Sequence, residues 1–141
     1  HRFQIVHICG RGNIDQSLLG VTGYAQFEYV DKELPHIISL ADMVVSRAGA
    51  NSIHEFLALK KPTLLIPIPL TASRGDQIMN AKSFEQKGYS KVLLQEDMTE
   101  DTLYLAILDL YSKRHQYINS MKQEDHSLGI QKIIEIINRY A

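Results

Sequence analysis

The sequence predicts an α/β fold, a Rossmann-like parallel sheet with helices on both faces. Three observations carry that expectation. Short β-rich runs (Phe3–Cys9, Met43–Ser46, Thr63–Pro67) alternate with helical patterns along the whole chain. The runs are apolar nearly throughout, as strands buried on both faces of a parallel sheet require. Residues that turn a chain from strand to helix follow two of these runs, at Gly49 and at Asp76.

Phe3–Cys9 (FQIVHIC) reads as a strand buried on both faces. Gly10-Arg11-Gly12-Asn13 then makes a tight turn. It offers only two glycines of a dinucleotide fingerprint, and Ile14–Gly20 opens a helix poorly, so the fingerprint is not satisfied. Ala25–Val30 is a short strand. Asp31 is expected to cap a helix that tolerates Pro35 in its first turn and carries Leu34, Ile37, Ile38 and Ala41 as an apolar stripe. Met43–Ser46 is the next strand. Ile53, Phe56 and Leu57 follow at helical spacing from a start near Ala50. Lys60-Lys61-Pro62 ends that helix, because the residue before a proline is pushed out of the α region.

Thr63–Pro67 is a buried strand, and Pro67 and Pro69 release the chain into an exposed loop, Ile68–Gly75. Asp76–Lys87 is helical, with Ile78, Ala81 and Phe84 facing inward and Gly88 just past its end. Ser90–Leu94 returns as a strand, and Thr99 caps a helix bearing Leu103, Ile107 and Leu110. Two further helices are expected, Arg114–Glu124 and Ser127–Tyr140, the second with Ile130, Ile133, Ile134 and Ile137 in a stripe.

A chain of 141 residues fits one domain. Its formal net charge of −1 argues against nucleic acid as a partner, since such domains are usually basic. The single cysteine, Cys9, excludes an internal disulfide and fits a reducing compartment. No apolar run approaches the roughly 18–20 residues of a membrane-spanning helix. The histidines have no ligand spacing with a carboxylate or cysteine, so no metal site is expected, and none of them reads as a catalytic base. The chain starts at His1, inside a strand-like run and without an initiator Met, which suggests a piece of a longer protein.

Chemistry concentrates in two segments, Ser46–Glu55 (SRAGANSIHE) and Ser73–Asn80 (SRGDQIMN). Gly49 is expected at positive φ, where only glycine is unstrained and where a ligand can approach the backbone. The helix beginning at Ala50 offers uncompensated N–H groups and a positive dipole end, a ready anion site. Asn51 and Ser52 fit either a cap or a ligand contact. Glu55 lies one turn beyond Asn51 on the same face, and its carboxylate can accept from two neighbouring hydroxyls such as those of a ribose. Arg47 can position a phosphate or pair with a carboxylate on a neighbouring strand, and both readings stay open. Asp76 reads as the N-cap of the second helix, with Gln77 and Asn80 on one face offering the donors and acceptors that sugar hydroxyls need. Two strand–loop–helix units with such groups at the strands' carboxyl ends suggest a sugar-nucleotide site.

The run ADMVVSRAGANSIHEFLALKKPTLLIP, the DQxxNA segment Asp76–Ala81 and the following KGYSKVL resemble the MurG family of bacterial N-acetylglucosaminyltransferases. The resemblance runs from about His7 to the C-terminus. It implies the second, donor-binding lobe of a GT-B glycosyltransferase, with the first strand, a glycine-rich phosphate loop and the acceptor lobe lying upstream of His1. Gly10–Asn13 is then similar to a HxxGKG-like loop. The backbone at Val30 would line a uracil edge, Leu34 would cover the ring, and the Ala50 N–H would meet a sugar hydroxyl. Gln77 and Asn80 would read the N-acetylglucosamine ring, while Asp76 caps with a hydroxyl contact open to it.

The resemblance further implies transfer of N-acetylglucosamine from UDP-N-acetylglucosamine to a lipid-linked muramoyl-pentapeptide, with inversion. It places the general base in the other lobe and the full enzyme on the cytoplasmic face of the membrane. No cofactor is expected, because a helix dipole and amides would serve the charge growing on the leaving pyrophosphate. The expectation for this chain on its own is a donor-binding fold without turnover. A diacylglycerol glycosyltransferase, a stand-alone UDP-sugar-binding subunit needing a membrane partner, and a UDP-sugar sensor remain open.

Overall fold

The computed structural model describes residues 2–124 and 130–140. The chain falls into two compact units, residues 1–37 and residues 38–141.

The first unit holds β1 (Ile5–Ile8) and β2 (Tyr24–Phe27), paired in parallel with Ile5 opposite Tyr24. The expected turn at Gly10–Asn13 forms: Gly10 and Gly12 take positive φ, and Asn13 N–H donates to the Gly10 carbonyl at 3.2 Å. The loop that follows is tied to β2 by Gln26, which accepts from Asp15 N–H at 2.9 Å and donates back to the Asp15 carbonyl at 3.0 Å. Two expectations are corrected here. β1 is exposed at all four positions rather than buried on both faces, because among the described residues its one paired strand, β2, lies at its edge and covers neither face. β2 stops at Phe27, not Val30.

α1 (Leu34–Leu40) begins three residues after Asp31. Asp31 does not cap it with its side chain. Its carbonyl accepts from Leu34 N–H at 3.1 Å to close a turn, and Ile37 N–H then reaches back to Glu33 at 3.0 Å. Pro35 sits in the first turn, where its missing N–H costs nothing.

The second unit is built on β3 (Val44–Ser46), β4 (Thr63–Leu65) and β5 (Ser90–Val92), parallel and in that order, with β4 in the centre. α2 (Ala50–Ala58) and α3 (Asp76–Gln86) are the crossovers. α4 (Glu100–Ser112), α5 (Arg114–Glu124) and α6 (Ile130–Tyr140) complete the unit. Successive side chains of β4 point to opposite faces, and each finds a core. Leu65 packs with Ala48, Ile53, Ala81, Phe84, Tyr89 and Met121, the face covered by α2 and α3. Leu64 packs with Ile66, Ala106 and Leu110, the face covered by α4. Helices on both faces of a parallel sheet are therefore present in this unit. Two crossovers on the same face are what right-handed connections between adjacent strands produce.

Helix ends follow local chemistry. Thr99 caps α4 in a reciprocal box with Thr102. α3 closes with Gly88 at φ 75°, Gly88 N–H donating to Glu85 and Tyr89 N–H to Phe84, while the Phe84 and Tyr89 rings meet edge to face at 5.5 Å. α2 closes by the same device, with Lys60 in the glycine position at φ 55°, Lys60 N–H donating to Leu57 and Lys61 N–H to Phe56. This left-handed turn, rather than the proline at 62, ends the helix. Lys61 Nζ in turn donates to the carbonyls of Ser39 and Ala41 at the end of α1. Because a non-glycine residue is strained at this φ, Lys60→Gly is expected to raise stability by roughly 0.5–1 kcal/mol. A higher urea midpoint at unchanged slope would show it.

Asp109 on α4 accepts from Lys91 Nζ of β5 and from Lys113 Nζ, each at 2.8 Å. The hydrogen bonds from Lys113 and then Lys91 hold its carboxyl below the usual carboxylate range. That contribution is present above the ordinary aspartate pKa and is lost as pH falls through the depressed one. The expected last helix is found from Ile130, and residues 127–129 of that expectation lie outside the described residues. Ile133, Ile134 and Ile137 are exposed on it. Among the described residues no helix is long and apolar enough to cross a membrane.

Candidate functional site

The carboxyl ends of β3 and β4 bring the two chemistry-bearing segments together. β3 runs into Arg47-Ala48-Gly49 and then α2, and β4 runs into the proline loop and then α3. The α2 N-terminus is uncapped: Gly49 occupies the cap position and no side chain bonds there. Asn51 and Ser52 therefore do not cap the helix. They are its second and third residues, exposed like Ala50 before them.

Gly49 itself is a correction. Its φ is −65° and ψ 141°, ordinary extended backbone that any residue adopts. A methyl group there would meet nothing nearer than Gln77 Nε2 at 4.0 Å. The glycine demanded by backbone conformation is Gly75, at φ 87°, which is the N-cap of α3. Asp76 is consequently the first residue of α3 and not its cap. Its exposed carboxylate complements the helix dipole in the first turn. A methyl group at Gly75 would also come within 2.9 Å of Leu70 Cδ2, the tip of an exposed side chain.

Gln77 and Asn80 face the α2 turn. Gln77 Oε1 accepts from Ala48 N–H at 3.3 Å and from Ile68 N–H at 3.1 Å. Asn80 Nδ2 donates to the Ala48 carbonyl at 3.0 Å. Arg47 Nη1 donates to the Ile66 carbonyl at 3.1 Å, so its partner is a strand-end carbonyl rather than a carboxylate. Glu55 is half-buried, one turn into α2, and its carboxylate has no hydrogen-bond or ion-pair partner among the described residues. The neighbouring His54 points elsewhere, its ring edge-on to Phe84 at 5.8 Å.

Val30 and Leu34 belong to the first unit, both half-buried, Val30 in the loop after β2 and Leu34 at the start of α1. Among the described residues no cluster of three or more His, Cys, Asp or Glu could hold a metal ion. A depression of about 360 Å³ lies at the opposite edge of the sheet, where β5 begins, lined by Ser90, Lys91, Lys113 and Tyr117 among others. Both of its lysines are engaged by Asp109, which leaves it little to offer a ligand.

The sequence singles out the two segments but does not reveal the amide cross-links to Ala48 and Ile68. Their partners lie 29 and 9 residues from Gln77, beyond any local pattern.

Comparison with known proteins identifies the family. Residues 1–137 match the Glycosyltransferase family 28 C-terminal domain. The chain belongs to glycosyltransferase family 28. The family 28 domain is 56% identical over 139 residues to the UDP-N-acetylglucosamine--N-acetylmuramyl-(pentapeptide) pyrophosphoryl-undecaprenol N-acetylglucosamine transferase of Geobacillus kaustophilus, covering 99% of this chain and 39% of that protein. It is 53% identical to the protein of the same name from Lachnospira eligens, over 96% of this chain and 38% of that one. It thus spans about two fifths of the length of these relatives.

Among solved structures it resembles MurG of Acinetobacter baumannii at a TM-score of 0.74 and 21% identity, over 97% of this chain and 41% of that one. The glycosyltransferase of kitacinnamycin follows at a TM-score of 0.72 and 22% identity, over 95% of this chain and 34% of that one. At these identities the likeness establishes the fold, an α/β domain of glycosyltransferase type.

Proposed function

We propose that this domain binds UDP-N-acetylglucosamine as the donor half of an inverting transferase that glycosylates a lipid-linked muramoyl-pentapeptide in peptidoglycan synthesis. The named activity of relatives above 50% identity supports the reaction. The observation that carries the donor site is the half-buried Glu55 carboxylate, without a protein partner among the described residues, one turn behind an uncapped helix N-terminus. The two features suit the two halves of a nucleotide. Helix amides and the positive dipole end meet pyrophosphate, and a carboxylate accepts from paired ribose hydroxyls.

In this reading Ala50, Asn51 and Ser52 present their N–H groups to phosphate or to a sugar hydroxyl. Arg47 adds positive charge at the rim. Gln77, Asn80 and Asp76 face the sugar. Helix dipole and amides stabilise the charge that develops on departing UDP, so the domain's own contribution needs no metal. The general base and acceptor contacts belong to the other lobe of the whole enzyme, at the cytoplasmic membrane surface.

Calorimetric titration with UDP-N-acetylglucosamine and UDP-glucose tests the donor assignment. Preference for the N-acetyl sugar is expected, and Glu55→Ala should weaken binding by about 1–3 kcal/mol, the scale of a lost hydrogen bond to a charged group. Equal affinity for both sugars, or an unaffected Glu55→Ala variant, would count against the proposal.

A further inference from the structure

We infer that Gln77 is a positioning residue whose carboxamide ties the loop after β3 to the loop after β4 and thereby sets the α2 N-terminus that meets the nucleotide. The inference rests on the donor-binding reading above and deepens it. A residue that merely touched the sugar would present both ends of its amide outward. Gln77 does not. Its oxygen is occupied by two backbone N–H groups, Ala48 at 3.3 Å and Ile68 at 3.1 Å. Only the oxygen of a carboxamide accepts, so these two donors fix which end of the group is which.

The geometry reaches both walls of the site. Ala48 is fully buried and lies two residues before α2, while Ile68 follows the end of β4. Asn80, one turn along α3, takes the other polar group of Ala48 by donating to its carbonyl at 3.0 Å. The backbone leading into α2 is thus held from both its N–H and its C=O by side chains of α3. A buried backbone group that loses such a partner without gaining water is destabilised. Displacing this turn would move the amides of Ala50, Asn51 and Ser52 together.

The same contacts fix what remains for a ligand. Gln77 Nε2, close to the open side of Gly49, can only donate. Asn80 keeps its oxygen as an acceptor. A sugar at this place meets one donor and one acceptor of set polarity rather than two adaptable amides.

Two variants separate the clamp from a simple sugar contact. Gln77→Met keeps the length of the side chain and removes the oxygen. Gln77→Glu keeps an oxygen able to accept from both N–H groups and removes the outward donor. Amide hydrogen exchange at Ala48 and Ile68 and titration with UDP and UDP-N-acetylglucosamine are read on each. In Gln77→Met, exchange at both amides should accelerate about tenfold and UDP affinity fall about tenfold, the scale of one or two lost hydrogen bonds. Gln77→Glu should restore protection and most of the UDP affinity, while the gain in affinity contributed by the sugar stays lost.

Wild-type exchange at Ala48 and Ile68 in Gln77→Met, or wild-type affinity for UDP in that variant, overturns the inference. A wild-type chain that binds no UDP sinks the donor reading instead, and the exchange arm then decides the clamp by itself.

Discussion

Leu65→Ala is expected to destabilise the domain by about 3 kcal/mol, within the 2–5 kcal/mol typical of a leucine truncated in a well-packed core. Leu65 has no exposed surface and sits on the central strand, so little can collapse into the space it leaves. It packs with Ala48 and Ile53 at the start of α2 and with Ala81 and Phe84 of α3. These are the two helices whose N-terminal ends form the candidate site. The loss should therefore reach function as well as stability.

Leu64→Ala is the control, because Leu64 is equally buried but packs against Ala106 and Leu110 on the α4 face. Urea unfolding should give similar losses for the two variants. At a temperature where both remain folded, UDP should bind more weakly only to Leu65→Ala. Equal binding by both would mean that the α2–α3 face does not support the site.

What the sequence reveals of this arrangement depends on how local the deciding contacts are. The caps at Thr99 and Gly88 are set by residues within one turn, and both form as the pattern predicts. The start of α2 near Ala50 is likewise local. The start of α3 is not. Gly75 and Asp76 both satisfy the rules for a helix N-terminus, and the cap falls to Gly75, which takes a left-handed φ of 87° that favours glycine. β1 illustrates a different limit: an apolar run says which side chains could be buried, not what covers them. The amides of Gln77 and Asn80 stand out as candidate site chemistry from their residue type and spacing. Their inward halves do not, since Ala48 lies 29 and 32 residues away and leaves no periodic trace.

Gly49→Ala is expected to leave the fold intact and to abolish most donor binding. The backbone at Gly49 has φ −65° and ψ 141°, and a methyl group would sit 4.0 Å from Gln77 Nε2, an ordinary contact. Removing a glycine from such a position stiffens the unfolded chain, so stability should hold or rise by about 0.4–1 kcal/mol. The chain by itself gives no reason for a glycine here. In the proposed donor site a bound molecule would supply one, by approaching the N–H groups of Ala50 and the residues after it past Gly49. A methyl in that approach should weaken UDP-N-acetylglucosamine by about 10–100-fold, or roughly 1.4–2.7 kcal/mol.

Thermal unfolding and titration of the same preparation decide between the readings. Unchanged stability with lost binding assigns Gly49 to the ligand, whereas unchanged binding removes it from the site. Gly75 shows the contrast that makes the argument specific. At φ 87° a side chain there strains the backbone before a ligand arrives. Of the two glycines that open the site helices, the backbone conformation requires Gly75, and titration of Gly49→Ala tests whether a ligand requires the other.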